Sequence, residues 1–230
     1  MIKVALTNLG QYSEGILNYT WLNLPATDEE IKNALLSISV DGVEYEEYFI
    51  TDYESEVSGL EISEYANLDE LNELAEKLTE LEEYEIDLVG AVMRTHGTSI
   101  KKALEKYEDF SYVCLDIETA MSDDENLAYS YIDSVYGDIS YLDRNTLEEY
   151  FDFESYGRDL KIDGIEKELE FEGSGDEEIG IEYVQMIGGL TKDFFSKETL
   201  EEYFDFESYE RDLSFDYEID KESMIAISKY

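Results

Sequence analysis

The spacing of apolar and polar positions changes period along the chain. Up to residue 60 the pattern is short and β-rich: "IKVALTN", "GILNYTWLNL" and "GVEYEEYFITDYE" each predict a strand. One helix interrupts them. Thr27 and Glu30 have the spacing of a capping box ahead of "DEEIKNALLSI", and Pro25 stands just before it, where a helix does not yet need its N–H. From 61 to 107 the period becomes helical. Leu68, Leu71, Leu74, Ala75, Leu78 and Leu81 fall on one face of "NLDELNELAEKLTELEEY", with Asn67 and Glu70 as caps. "IDLVGAVM" and "SIKKALEKY" predict two further short helices, loosened or separated by Gly90 and Gly97.

Beyond 108 the order is strand, helix, acidic helix, strand. "FSYVCLDI" predicts the strand and "ENLAYSYIDSVYG" the helix. "LEEYFDFESYGRDL" at 147–160 follows, and "LEEYFDFESYERDL" returns 53 residues later at 200–213. Thirteen of the fourteen residues agree, and only Gly157 has become Glu210. Upstream, "YIDSVYG" at 131–137 loosely matches "YVQMIGG" at 183–189, so the repeated unit is larger than the motif. Thr146 with Glu149, and Thr199 with Glu202, have capping-box spacing at the two motif starts. "EGSGDEEIG" at 172–180 is expected in or near the junction. Four segments result: 1–60, 61–107, 108–165 and 166–230.

Charge changes the picture. Against 16 Lys and Arg stand 59 Asp and Glu, a formal net charge of −43. Carboxylates about 7 Å apart in water repel by roughly 0.6 kcal/mol per pair, and folding stability is only about 5–15 kcal/mol. Hydrophobic residues make up 43% of the chain, so this is a folded protein rather than a disordered acidic tail. The charge equals that of roughly 20 base pairs of DNA. Direct binding to nucleic acid or to an anionic membrane is therefore opposed, and basic proteins are the natural partners. Cys114 is alone and the N-terminus lacks an apolar signal block, which predicts a reducing, cytoplasmic setting.

In the motif, Leu147, Tyr150, Phe151, Phe153, Tyr156 and Leu160 form an apolar side. Glu148, Glu149, Asp152, Glu154 and Asp159 are left toward solvent, and the copy presents Glu201, Glu202, Asp205, Glu207, Glu210 and Asp212. Glu154 with Arg158, and Glu207 with Arg211, are spaced to pair along their own helix. In "EYEEYFITDYE", Glu44, Glu46, Glu47, Asp52 and Glu54 would form an acidic row if all lay on a strand. These sixteen acids are the candidate partner-binding set. A charge run alone is more often a solvated face, but the whole chain shares this bias.

Catalytic motifs are missing. His96 in "MRTHGTS" is expected in a loop and has no second ligand at metal spacing. The sequence has no GxxxxGK[ST], no GxSxG and no calcium loop. No cofactor, metal or enzymatic activity is expected.

The tyrosine-and-acid segment ending in "YGRDL", with "NLGQYSEGILNYTWLNLPATDEEI" and "EYEEYFITDYE" near the N-terminus, resembles the ArdA antirestriction proteins over roughly residues 2–164. The resemblance implies an α+β protein in an elongated row: an α/β N-terminal domain, a helical middle domain and a third α/β domain, here followed by a repeated copy. It implies a DNA mimic that occupies the DNA-binding groove of type I restriction-modification enzymes, with the methyltransferase core as partner. It also implies a homodimer. With a second copy present, the pairing surface is repeated, displaced or satisfied within one chain.

Rival classes stay open on the sequence. A CRISPR effector or another defence nuclease would serve as an alternative target. An acidic chaperone would bind basic DNA-binding proteins without regard to groove shape. A halophile surface is disfavoured, because 12 of the 16 basic residues are lysine and Ile, Leu and Tyr are abundant. A hydrolase using a carboxylate pair of raised pKa is the remote reading.

Overall fold

The computed structural model describes residues 1–115, 123–162 and 175–230. Helices and small sheets mix in an α+β fold. Two compact units emerge: Met1–Phe110 with Asp220–Ser223, and Ser111–Ile219 with Met224–Tyr230.

In the first unit, β1 (Ile2–Asn8) is the centre of an antiparallel sheet, with β2 (Tyr19–Leu24) on one side and β3 (Tyr48–Ser55) on the other. Helix α1 (Leu9–Ser13) follows β1, and Asn8 accepts from the Gln11 N–H at its start. Thr27 and Glu30 form both halves of the capping box that opens α2 (Asp28–Ser37). Asn67 caps α3 (Leu68–Leu78) by accepting from the Asp69 and Glu70 N–H groups. The predicted stripe of α3 is buried: Leu68, Leu71, Ala75 and Leu78 share a core with Ile2, Val4, Leu6 and Leu24. Burying each such leucine contributes about 1.5–3 kcal/mol.

Helix α4 (Glu83–His96) runs through Gly90 without a break. A Cβ on Gly90 would lie 3.2 Å from the Arg94 guanidinium and 3.3 Å from the Ser58 carbonyl oxygen, so the glycine makes room rather than ending the helix. Gly97, at φ 57°, does end it, and α5 (Ile100–Lys106) follows. Arg94 donates from Nε and Nη2 to the two Asp220 carboxylate oxygens, at 2.8 and 2.6 Å. Burial opposes the Asp220 charge, but hydrogen bonds from Arg94 and Ser223 outweigh it and hold the pKa at about 2.

In the second unit, β4 (Tyr112–Cys114) pairs antiparallel with β6 (Ile225–Ser228), which also neighbours β5 (Tyr217–Asp220). Among the described residues, six α-helices accompany this sheet. Helices α6 (Asp123–Tyr136), α7 (Arg144–Tyr150) and α8 (Phe153–Ile162) are followed by α9 (Asp176–Ile187), α10 (Lys197–Tyr203) and α11 (Phe206–Asp216), each of the last three starting 53 positions after its counterpart. Leu127, Ile132, Leu147 and Phe151 meet Val184, Leu200, Phe204 and Leu213 in one core. Helix α8 packs on α9, and α11 packs on α6.

Several local expectations need correction. Each motif is two helices rather than one, because Phe151 and Phe204 adopt extended backbone at the break. Their first helices start earlier than the Thr146–Glu149 and Thr199–Glu202 boxes suggest. Asp143 and Ser196 are the caps, and the two threonines sit inside the first turn, giving their N–H groups to those caps. Strand β2 begins at Tyr19, not Gly15, and β3 begins at Tyr48. Glu44, Glu46 and Glu47 thus lie in the preceding loop, where Asp41 accepts from the Val43 and Glu44 N–H groups, and only Asp52 and Glu54 share a strand face. His96 closes the last turn of α4 and stacks on Phe110 at 4.3 Å between ring centroids. Of the expected junction, Asp176–Gly180 is helix α9, and 172–174 lie outside the described residues.

Candidate functional site

The two motifs meet at their breaks. Phe151 and Phe204 stand opposite each other as an antiparallel bridge. The Asp152 N–H donates to the Tyr203 carbonyl at 2.7 Å, and the Asp205 N–H donates to the Tyr150 carbonyl at 2.8 Å. This satisfies backbone groups that the end of each first helix would otherwise leave open. Each aspartate then caps its second helix: Asp152 accepts from the Ser155 N–H and Asp205 from the Ser208 N–H, both at 2.9 Å. The hydrogen bonds from Ser155 hold Asp152 below the usual carboxylate range.

Side chains repeat the same crossing. The Tyr150 hydroxyl donates to Asp212 Oδ2 at 2.5 Å, and the Tyr203 hydroxyl donates to Asp159 Oδ2 at 2.7 Å. Burial first, and these carboxylate contacts second, push both phenols up. The aromatic side joins in: Tyr150 lies 5.0 Å from Tyr209 and Tyr203 lies 5.0 Å from Tyr156, both edge-on. None of these four aromatic and acidic partnerships was legible as a contact from sequence. The signal was there in the identical positions of the two copies, but a repeat does not say which face meets which.

An open cleft of about 590 Å³ lies over the bridge, lined by Glu149, Asp152, Glu202 and Asp205 together with Ser208 and the four bridging aromatic residues. All four acids are exposed. Among the described residues none of them is in an ion pair. Their neighbours differ: Glu148 pairs with Arg144, Glu154 with Arg158, Glu201 with Lys197 and Glu207 with Arg211. The predicted Glu154–Arg158 and Glu207–Arg211 pairs thus form, at 3.4 and 3.7 Å. Local cations pair with the outer acids of each motif, and the inner ones around the cleft are in no such pair, although Arg158 also helps to lower the Asp152 pKa.

The other expected acids divide by role. Asp159 and Asp212 receive the tyrosine hydroxyls and so tie one motif to the other. Glu210 is half-buried on α11. Glu44, Glu46, Glu47, Asp52 and Glu54 are exposed in the first unit, where Glu54 receives Lys3 at 3.3 Å. Among the described residues no cluster of three or more His, Cys, Asp or Glu is arranged to hold a metal ion. No helix among them is long and apolar enough to cross a membrane. What the cleft offers chemically is unneutralised carboxylate on a braced backbone, suited to gathering lysine and arginine.

The family model described as "Antirestriction protein (ArdA)" matches residues 4–170. That span takes in the first unit to Phe110 and the first motif, and ends before α9. No curated protein matches the chain.

Proposed function

The chain belongs to the ArdA family of antirestriction proteins, and we propose that it inhibits a type I restriction-modification enzyme by holding carboxylates where that enzyme expects DNA phosphates. The family is one of inhibitors rather than enzymes, directed at restriction-modification systems. The observation that carries the mimicry is the sorting of charge at the motif. Glu149, Asp152, Glu202 and Asp205 stay unpaired around the cleft, while a cation covers each of their four outer neighbours. A DNA groove lined with lysine and arginine gains most from exposed carboxylates that no cation already pairs. With a net charge of −43, the long-range field steers such a partner from a distance.

The test is titration of the purified methyltransferase core of a type I enzyme with the full chain, repeated at rising salt and with duplex DNA as competitor. Binding weakens as the screening length shrinks from about 10 Å at 0.1 M to about 3 Å at 1 M salt, and DNA displaces the protein. Changing Glu149→Gln, Asp152→Asn, Glu202→Gln and Asp205→Asn together costs about 30-fold or more in affinity. The matched set Glu148→Gln, Glu154→Gln, Glu201→Gln and Glu207→Gln costs far less. Asn keeps the helix caps at 152 and 205 in place, so the comparison reads charge. Equal losses from the two sets, or binding that ignores both salt and DNA, would overturn the reading. Binding to any basic protein without DNA competition would favour an acidic chaperone instead.

A further inference from the structure

We infer that the helical stretch 123–162 and the helical stretch 176–216 are two halves of one fold, each presenting a self-complementary surface whose partner is the other copy in the same chain. The contacts come in reciprocal sets. Tyr150 reaches Asp212 while Tyr203 reaches Asp159, and each of these residues is 53 positions from its counterpart. The Asp152 N–H meets the Tyr203 carbonyl while the Asp205 N–H meets the Tyr150 carbonyl. Phe151 lies 5.8 Å from Tyr203, and Phe204 lies 5.8 Å from Tyr150. Helix α8 of the first copy packs on α9 of the second, with Tyr156 at 6.2 Å from Tyr183. Helix α11 of the second packs on α6 of the first, with Tyr209 at 6.4 Å from Tyr131.

That pattern, in which residue i touches j and the equivalent of j touches the equivalent of i, is the signature of an isologous two-fold interface. Here it closes within a single chain. It is not a contact between two finished domains, because the third helix of each copy finds its packing partner in the first helix of the other. Leu147 and Leu200, at 2% and 0% exposure, lie in the same core, so removing either copy opens that core to water. The acid-lined cleft lies over this junction and draws on both copies. The surface is thus satisfied by the chain itself, and the protein needs no second molecule to complete it.

The test keeps the whole chain. A protease site is inserted between Ile162 and Gly175, and the folded protein is cleaved there and sized by light scattering. Hydrogen exchange follows α6–α8 and α9–α11 separately. The intact protein behaves as a monomer whose two helical sets are protected together. After cleavage the two pieces stay together at the mass of one chain, or else separate with protection lost from both sets. Tyr150→Phe and Tyr203→Phe each weaken the association of the cleaved pieces by about tenfold, and by matching amounts. That match separates pairing of the copies from the β4–β6 strand contact, which neither tyrosine touches. Pieces that part while both helical sets keep their protection would overturn the inference. So would a large loss from one tyrosine and none from the other.

Discussion

The two motif copies differ at one position in fourteen, and in the first copy that position sits at a close helix crossing. Gly157 is buried against α9: a Cβ there would lie 1.8 Å from the Asp176 carbonyl oxygen and 2.8 Å from the Gly180 nitrogen. Gly180 returns the constraint, since its own Cβ would lie 2.2 Å from the Phe153 carbonyl oxygen. Helices α8 and α9 therefore cross with backbone against backbone. On the other side of the unit, Glu210 takes the place of Gly157, and α11 lies against α6. Aligning Tyr131 with Tyr183 puts Ala128 where α9 has Gly180, so that crossing carries side chains at both positions. The α8–α9 crossing thus rests on a facing pair of glycines that the α11–α6 crossing does not have. The identical positions carry the bridge and the tyrosine contacts; the differing one lies where α8 meets α9 backbone to backbone.

The sharpest way to break this comparison is to make the copies identical. Gly157→Glu places a side chain where backbone already sits. Neither contact in its way is the flexible end of a side chain, so α8 and α9 must separate. A loss of at least about 3 kcal/mol of stability is expected, read as a lower denaturant midpoint with the helices of the second unit melting first. An unchanged midpoint would mean that the α8–α9 spacing is not held by these glycines.

This asymmetry also marks how far the sequence could be read. Short-range signals were legible: the Thr27–Glu30 box and the Leu68–Leu78 stripe depend on residues three or four apart, and the Gly97 stop on one residue. Errors arose where two local signals compete. Asp143 and Ser196 precede the threonines and capture their N–H groups, so the helices begin sooner than the boxes imply. In "EYEEYFITDYE" the alternation continues through Glu44–Glu47, but the turn around Asp41 takes that backbone before the strand begins. Non-local pairing was not legible. The repeat announced a second set of aromatic and acidic residues, yet Tyr150 meeting Asp212 spans 62 positions that no spacing rule covers. The acids of the cleft illustrate both sides: their place on the solvent side of each motif was legible, whereas the sorting into ion-paired outer and unpaired inner carboxylates depends on the fold.

A smaller effect sharpens the likeness of the copies instead. Tyr150 and Tyr203 both have phenols raised above the ordinary tyrosine value by burial and by an aspartate acceptor. A group whose folded pKa is raised contributes stability that is complete below its unfolded pKa, near 10, and is lost as pH climbs through the folded value. Stability is therefore expected to fall from about pH 10 upward, by about 1 kcal/mol for each of the two tyrosine–carboxylate bonds. Absorbance of tyrosinate against pH reads this directly. Tyr150→Phe and Tyr203→Phe should each delete one late-ionising group, with equal amplitude. Tyr156, pushed up to about 12 by burial and then by the nearby Tyr183, remains as a late-ionising group in both variants. A late phase whose amplitude drops in only one of the two variants would show that the copies differ here too.

The smallest expected change reverses the first. Glu210→Gly restores the glycine of the first copy, but glycine in a helix interior costs about 1 kcal/mol relative to a better helix former. Nothing offsets that cost if α11 stays at its present distance from α6. Ala128, at the position of Gly180 in that alignment, is fully buried and keeps its own Cβ, so removing the glutamate alone does not recreate the glycine pair. A loss of about 1 kcal/mol or less is therefore expected for Glu210→Gly in chemical denaturation. Pairing it with Ala128→Gly frees both positions, and the two substitutions should then combine non-additively, as contacting residues do. Simple additivity would mean that glycines permit a close crossing only where neighbouring residues also favour it, and would place the cause of the α8–α9 approach beyond the 157–180 pair.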